Sequence, residues 1–219
     1  ITDHWDLPGG FAPTVNEDGG ARDFSKARDW RVNAKVGFTP NATDEYALSY
    51  THQEGSKGAP LHISDTVTTA RFWDWPSWDI TSVYFLSTTA LGDRATLKTR
   101  AYYNQFDSML RSFNDRTQTT QSRPYAFDSP YEDKAWGGSA QLDFSATDAD
   151  TLRLAFHYRH DEHVEFQTSF STAGVATTEP KQTQSEATYS IALENELALS
   201  PTLRFTLGGS YDWRNLERA

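Results

Sequence analysis

The chain has 219 residues, of which 37% are hydrophobic and 14% aromatic, and a formal net charge of −10. The aromatic content excludes an intrinsically disordered chain. The negative charge, without a stripe of Lys and Arg to neutralise phosphates, argues against nucleic acid as a partner. The absence of cysteine excludes disulfides and thiolate metal sites. No run approaches the roughly 20 apolar residues of a membrane helix, so membrane insertion would require a β-barrel.

Alternation of apolar and polar residues begins at Trp30. Residues 30–38 read W-R-V-N-A-K-V-G-F, and the following TPNATD (39–44) has the composition of a turn. Alternation then resumes at Tyr46. A period of two residues is typical of β-strands, so this stretch predicts a β-hairpin.

The same pattern predicts six further strands. Their apolar alternate residues are Trp78, Ile80, Ser82, Tyr84 and Leu86 in the third strand; Leu97, Thr99, Ala101 and Tyr103 in the fourth; Ala140, Leu142 and Phe144 in the fifth; Leu152, Leu154, Phe156 and Tyr158 in the sixth; Ala187, Tyr189, Ile191 and Leu193 in the seventh; and Leu203, Phe205, Leu207, Gly209 and Tyr211 in the eighth. We therefore predict an all-β fold, an antiparallel up-and-down meander of about eight amphipathic strands in one domain, residues 1–219.

Connections of two kinds separate these strands. Tight turns fall near residues 42, 91, 148 and 201. Long polar loops are predicted at about 1–28, 54–76, 107–134 and 168–184. Short turns at one end and long loops at the other are typical of outer-membrane β-barrels. Alternation alone does not separate a barrel, whose polar face lines a lumen, from a soluble sandwich, whose polar face meets water. Loop asymmetry and strand length favour the barrel.

Four stretches of the sequence resemble a known family. The stretch from Asp29 to Pro60, DWRVNAKVGFTPNATDEYALSYTHQEGSKGAP, is similar to a barrel hairpin of TonB-dependent outer-membrane receptors, with a TPN periplasmic turn and an SxQxGxKGxP-like loop opening. SATDADTLRL and LSPTLRF resemble the periplasmic turns of these receptors, and PYAFDSPYEDKAWGGS resembles an extracellular loop that re-enters a strand. The resemblance implies a bacterial outer-membrane location, contact with outer-membrane lipid, and uptake of a scarce nutrient such as a siderophore or other metal chelate.

The resemblance covers nearly the whole of this chain but only a part of the family's fold. Members carry a TonB box, a plug domain and a barrel of twenty-two strands, and this chain shows neither of the first two. It begins ITDHWDLPGG, without signal-peptide features, and ends NLERA. We therefore expect an internal segment of a larger, twenty-two-stranded barrel, contacting the TonB complex through parts absent from this chain. The alternatives are a complete small eight-stranded outer-membrane barrel and a soluble carbohydrate-binding β-sandwich.

Aromatic residues in the predicted loops are the candidate ligand-binding residues. They are Phe72, Trp73, Trp75, Tyr125 and Tyr131. Such side chains form platforms for planar ligands or sugars, but they also form the aromatic belts of membrane proteins. Trp78 is the best belt candidate because it begins a strand, and Phe127 and Trp136 admit both interpretations. Loop arginines Arg111, Arg116 and Arg123 would attract an anionic ligand or remain solvated.

Other chemistry has little support in the sequence. His157, His160 and His163 lie close together, but on a strand His157 and His160 point to opposite faces. A metal site would therefore require the strand to end near Arg159, and the alternative is a polar strand end. The chain has no nucleophile elbow, P-loop, HExxH or GxGxxG motif. We expect a protein that is not an enzyme, with no catalytic residues, metal ligands or cofactors.

Overall fold

The computed structural model describes residues 1–66 and 68–219, and it is one antiparallel β-sheet. Its strands are β1 (Ala27–Phe38), β2 (Glu45–Gly58), β3 (Trp73–Ala90), β4 (Ala95–Ser112), β5 (Phe127–Thr147), β6 (Asp150–Glu165), β7 (Thr168–Phe170), β8 (Ala176–Thr178), β9 (Gln182–Ser200) and β10 (Leu203–Arg218). The long strands pair in the order β1-β2-β3-β4-β5-β6-β9-β10, and the short β7–β8 hairpin pairs with β5. The predicted all-β, up-and-down meander is confirmed. The described residues include no helix that is long and apolar enough to cross a membrane.

Short turns join the strands at one end of the sheet. They comprise residues 39–44, 91–94, 148–149 and 201–202. In the first turn the Asn41 side-chain oxygen accepts hydrogen bonds from the backbone N–H of Thr43 (2.9 Å) and Asp44 (2.7 Å), which is why Asn suits this position. The Asp44 carboxylate accepts a bond from the backbone N–H of Ala90 (2.9 Å), which lowers the pKa of Asp44. This contact ties the first turn to the second.

One face of the sheet is apolar and exposed. On β6 and β9 the side chains of Leu154, Phe156, Ile191 and Leu193 are 44–52% exposed, and Leu207 of β10 is 66% exposed. They are neighbours through the pairings of β6 with β9 and of β9 with β10, so they form a continuous surface. A surface of this kind is rare on soluble monomers and typical of the lipid-facing side of a barrel.

The opposite face is polar and concave. Ile80 of β3 and Arg214 of β10 line the same cavity of about 910 Å³, so the sheet curves toward this face. Cross-strand ion pairs cover it, including Lys98 with Asp143 (2.8 Å). Further ion pairs on this face join Arg153 to Glu194 (2.7 Å) and Arg214 to Glu186 (2.6 Å). Charges on the concave face are thus matched by charges on neighbouring strands.

Strand β3 presents its faces opposite to the prediction. The Trp78 ring lies 4.9 Å from that of Phe106, and the Tyr84 hydroxyl donates to the Asn104 side-chain oxygen (2.8 Å). Phe106 and Asn104 lie on the concave face of β4 together with Arg100. The predicted apolar residues of β3 therefore point to the concave face, and Trp78 does not belong to an outer belt. The reason is that alternation reports a period of two without saying which face meets lipid.

The strands also extend into segments that the sequence assigns to loops. The connections at the loop end are residues 59–72, 113–126 and 166–181. They are shorter than the predicted loops, which are 54–76, 107–134 and 168–184. The outer face of these extensions is polar, with Asp79, Asp107 and Glu132 adjacent across three strands. Because both faces of these extensions carry polar residues, the alternation of apolar and polar residues disappears although backbone pairing continues. The sequence alone therefore predicts strands that are too short at the loop end.

We predict that two adjacent residues of β3 differ sharply in their tolerance of a polar side chain. Phe85→Gln puts an amide on the lipid-facing side and should lower the free energy of unfolding by about 1–3 kcal/mol. Leu86→Gln, on the concave face opposite Arg100, should cost less than about 1 kcal/mol. Urea unfolding of the intact protein in lipid vesicles measures both. A larger loss for Leu86→Gln would contradict the assignment of the two faces.

Gly137 of β5 is required because the Tyr102 side chain crosses over β5 at this position. The Tyr102 hydroxyl reaches over β5 to His157 Nε2 (3.5 Å), and a Cβ on Gly137 would lie 3.0 Å from that hydroxyl and 2.2 Å from the backbone oxygen of Tyr158. Gly137→Ala should therefore destabilise the intact protein by about 1–3 kcal/mol in the same unfolding measurement. Gly37→Ala is the control because a Cβ there meets nothing within 4 Å. Equal effects of the two substitutions would refute the steric explanation.

Candidate functional site

Residues 1–26, which we call the N-terminal ribbon, fold back on themselves above the loop end of β1 and β2. Backbone bonds join Thr2 to Ala27 (2.8 Å in each direction), and the Leu7 N–H donates to the Gly20 carbonyl (2.7 Å). The turn of the ribbon contains residues 14–18, the ribbon tip. The ribbon returns to the sheet through Phe24, whose φ of 56° lies in the left-handed region that favours glycine.

The ribbon tip is hydrogen-bonded to two loops. The buried side chain of Asn16 donates from Nδ2 to the carbonyls of His62 (3.0 Å) and Asp65 (2.7 Å) in loop 59–72. From loop 113–126, Arg116 Nη2 donates to the Asn16 carbonyl (2.8 Å) and also to the Asp23 carboxylate. Three segments far apart in sequence are therefore joined at Asn16.

A buried carboxylate lies next to these contacts. Glu17 is 1% exposed, and its Oε2 accepts a bond from the backbone N–H of Asp23 (3.2 Å). Its Oε1 lies 3.9 Å from Arg22 Nε and has no hydrogen-bond partner among the described residues. An unpaired buried oxygen costs about 1–3 kcal/mol, so the closed arrangement of the ribbon is less stable than full pairing would make it.

A cavity of about 950 Å³ lies between the ribbon tip and the loops. Aromatic rings supply much of its wall, and Trp73 and Phe127 lie with ring centroids 6.5 Å apart. Its aromatic residues are Phe72, Trp73, Phe113, Tyr125 and Phe127. Its charged residues are Arg71, Arg116, Arg123 and Asp115. We call it the loop-base cavity, and its combination of aromatic walls with a few charged groups is typical of small-molecule sites.

The charge of the loop-base cavity is positive, although the whole chain carries −10. Arg123 donates to the Tyr125 hydroxyl, a bond that raises the pKa of Arg123. The Thr117 hydroxyl (2.7 Å) and backbone N–H (2.8 Å) donate to the Asp115 carboxylate and lower its pKa. Three guanidinium groups against one carboxylate in the wall favour an anionic occupant.

One buried donor in this wall lacks an acceptor. Trp73 Nε1 is inaccessible to solvent and makes no hydrogen bond to any of the residues that the structure describes. Buried donors are paired in the great majority of cases, so each exception calls for an explanation. Because Nε1 is inaccessible even to a water-sized probe, a ligand in the cavity meets the Trp73 ring and not this donor.

The structure brings three of the five predicted ligand-binding aromatics together. Phe72, Trp73 and Tyr125 line the loop-base cavity. Trp75 instead lies under Lys57, with Nζ 5.0 Å from the ring centroid. Tyr131 belongs to β5, where its ring stacks on His163 at 6.0 Å. Of the three loop arginines, Arg116 and Arg123 line the cavity, whereas Arg111 pairs with Asp128 (3.3 Å).

Sequence reasoning missed Asn16, Arg71 and Phe113 as parts of this site. They come from the ribbon, loop 59–72 and the segment after β4. The local signal for Arg71 was its position directly before the Phe72-Trp73 pair. Asn16 gave none, because its role depends on contacts more than 40 residues away.

A second aromatic group lies on the outer face, at the boundary between its apolar and polar parts. The Trp136 and Tyr158 ring centroids are 5.3 Å apart, those of Tyr158 and Tyr189 5.0 Å, and those of Tyr189 and Trp213 5.3 Å. This row crosses β5, β6, β9 and β10. Its position matches the aromatic girdle of membrane barrels, and we call it the outer belt.

The three histidines of β6 do not converge. His160 lies beside the Trp136 ring on the outer face (5.2 Å), while His157 and His163 lie on the concave face. His163 Nδ1 is bonded to the Asp133 carboxylate (2.5 Å). Within residues 1–66 and 68–219, no group of three or more His, Asp or Glu side chains has metal-binding geometry.

We predict that Asn16→Ala loosens the ribbon. The substitution removes two hydrogen bonds and leaves the Asp65 carbonyl without the Asn16 donor, at a cost of about 1–3 kcal/mol. The population with a detached ribbon should rise about tenfold, as should the rate of limited proteolysis within residues 1–26 of the intact protein. Asp18→Ala is the control, because Asp18 makes none of these contacts. Equal cleavage rates for the two variants would contradict the anchoring role of Asn16.

Comparisons with known proteins give one kind of match. No family model matches the chain, and no curated protein matches it. Among solved structures, the copper transporter OprC is similar, with a TM-score of 0.69 and 17% sequence identity. The alignment covers 89% of this chain and 29% of that chain, so the chain spans less than a third of the transporter's length. At this identity the likeness concerns the fold, and the chain has an outer-membrane β-barrel fold.

Proposed function

We propose that this chain forms part of the wall and the ligand-facing loops of an outer-membrane transporter of the TonB-dependent receptor type, which takes up a scarce nutrient such as a siderophore or other metal chelate. The observation that carries the proposal is a division along the strands. The apolar outer face runs from the short turns to the outer belt, in the middle of the strands. The positively charged, aromatic cavity lies at the loop end of the strands.

The dimensions of the outer face support contact with outer-membrane lipid. From Leu152 to His160, at the level of the belt, β6 advances by eight residues, about 26 Å at ~3.3 Å per residue. At the strand tilt of about 35–45° in such barrels, this length spans a height of about 20 Å, most of their apolar band, which is roughly 25 Å tall. Beyond the belt the outer face becomes polar, so the loop-base cavity would stand in water outside the membrane.

The pairing of the sheet favours part of a large barrel over the alternatives. In the described residues β1 and β10 each pair on one side, with β2 and β9, and not with each other. A complete eight-stranded barrel would close through that pairing, and a β-sandwich would have a second sheet. Contact with a TonB complex would lie in parts outside this chain.

Transport, rather than catalysis, also agrees with the similar structure, which is a copper transporter. The positive charge of the loop-base cavity suits an anionic chelate better than a free cation. The net charge of −10 also argues against nucleic acid as a partner. A small ligand at the loops therefore remains the proposed partner.

Uptake by intact cells tests this proposal. Cells lacking other receptors and expressing the intact protein should import at least one of three probes, a ferric tris-catecholate, a ferric trihydroxamate or a copper(II) chelate. Trp73→Ala should reduce uptake about tenfold, since a central aromatic contact is worth more than about 1 kcal/mol. Trp136→Ala, in the outer belt, should change the uptake of the same probe less than about twofold. Absence of import for all three probes, with the protein folded in the outer membrane, would refute the proposal.

A further inference from the structure

Arg116 uses one edge of its guanidinium group to hold the ribbon. Both of its recorded hydrogen bonds, to the Asn16 carbonyl and the Asp23 carboxylate, come from Nη2. A guanidinium has five N–H donors, of which Nη2 supplies two. The donors on Nε and Nη1 bond to none of the described residues, and the group lies 5.5 Å from the Phe24 ring centroid.

The same side chain lines the loop-base cavity, as do Val15 and Asn16 of the ribbon tip. Arg116 therefore belongs both to the contact that closes the ribbon and to the wall of the cavity. The Trp73 ring lines the cavity as well. An acidic oxygen in the cavity would meet donors that the protein itself leaves unused.

We propose that Arg116 couples ligand binding in the loop-base cavity to closure of the N-terminal ribbon. Its Nη2 edge holds the ribbon, and its Nε and Nη1 donors bind an anionic oxygen of an aromatic ligand, whose ring packs against the aromatic wall. The inference rests on the proposed function, in that it takes this cavity as the ligand site. It adds a ligand class, an aromatic oxyanion, and a device that encloses it.

The physical basis of the coupling is preorganisation. A closed ribbon fixes the Arg116 side chain, so the ligand does not bear the full entropy cost of ordering it. By linkage, a ligand that prefers the closed state must stabilise that state by the same factor. The unpaired Glu17 oxygen and the left-handed backbone of Phe24 lower the stability of the closed state. A bound ligand can therefore shift the equilibrium between the open and closed states of the ribbon.

Benzoate is the probe, and benzamide, of the same shape but uncharged, is its control. Isothermal titration of the intact protein in detergent should give benzoate at least about tenfold higher affinity than benzamide, because charge-assisted bonds are roughly twice as strong as neutral ones. Benzoate should slow hydrogen exchange of the peptide containing residues 14–18 at least about fivefold. Arg116→Gln should abolish both effects. Arg111→Gln, a nearby arginine outside the cavity, should retain both.

Asp23→Asn separates coupling from simple electrostatics. Asp23 holds the ribbon through Arg116 and is not part of the cavity wall. Loss of its negative charge would tighten benzoate binding if charge alone mattered. Coupling predicts the opposite: faster exchange of residues 14–18 without ligand and benzoate affinity lowered about threefold or more. Because this variant keeps Arg116, it also covers the case in which Arg116→Gln fails to fold.

Three results would overturn the inference: equal affinities for benzoate and benzamide, benzoate binding without slower exchange at residues 14–18, or unchanged or tighter binding by Asp23→Asn. None of these measurements depends on transport. If coupling is observed but no probe is imported by cells, the proposed transport function fails while the anion site stands. If import is observed without coupling, the reverse holds.

Discussion

The structure depends on the pairing of every backbone group along the apolar band. Lipid offers no hydrogen bonds, so each N–H and C=O there must find a partner on a neighbouring strand. Strands β4 and β5 meet this requirement from Ala95–Phe144 to Ser112–Phe127 without a shift in register. At the two edges, β1 and β10, the requirement is unmet on one side. Under the proposed function, these edges are where the sheet would join neighbouring strands of a larger barrel.

Continuous pairing also decides where charge and volume can go. Because successive side chains alternate across the sheet, charged residues of neighbouring strands meet on the concave face, where Lys98 and Asp143 neutralise each other. Crowding on that face makes Gly137 necessary, since the Tyr102 side chain passes over it toward His157. The charged concave face and the apolar convex face thus follow from one backbone pattern.

The sequence predicted the parts that depend on local periodicity. The eight long strands, their antiparallel order and the outer faces of β4 and β6 follow from alternation such as Leu152-Leu154-Phe156, because each side chain there faces one side of the sheet. The short β7–β8 hairpin lies in a segment that the sequence assigned to a loop. Alternation failed at β3, where Trp78 and Tyr84 make an aromatic cluster on the concave face. It failed again beyond the belt, where both faces are polar. The loop-base cavity was half predictable: local aromatic density indicated Phe72 and Trp73, but nothing local indicates Asn16.

The extension of the strands past the outer belt has a consequence for the cavity. From Trp136 in the belt to Phe127 at the cavity, β5 advances by nine residues, about 30 Å along the strand. Paired strands over this length form a stiff frame, so the loops that they carry hold Trp73, Phe113 and Phe127 in fixed relation. The ribbon is different, since it joins the sheet through the Thr2–Ala27 backbone bonds and reaches the loops through side-chain contacts such as those of Arg116. A ligand that engages Arg116 would therefore act on a wall of the cavity that the strand pairing does not fix.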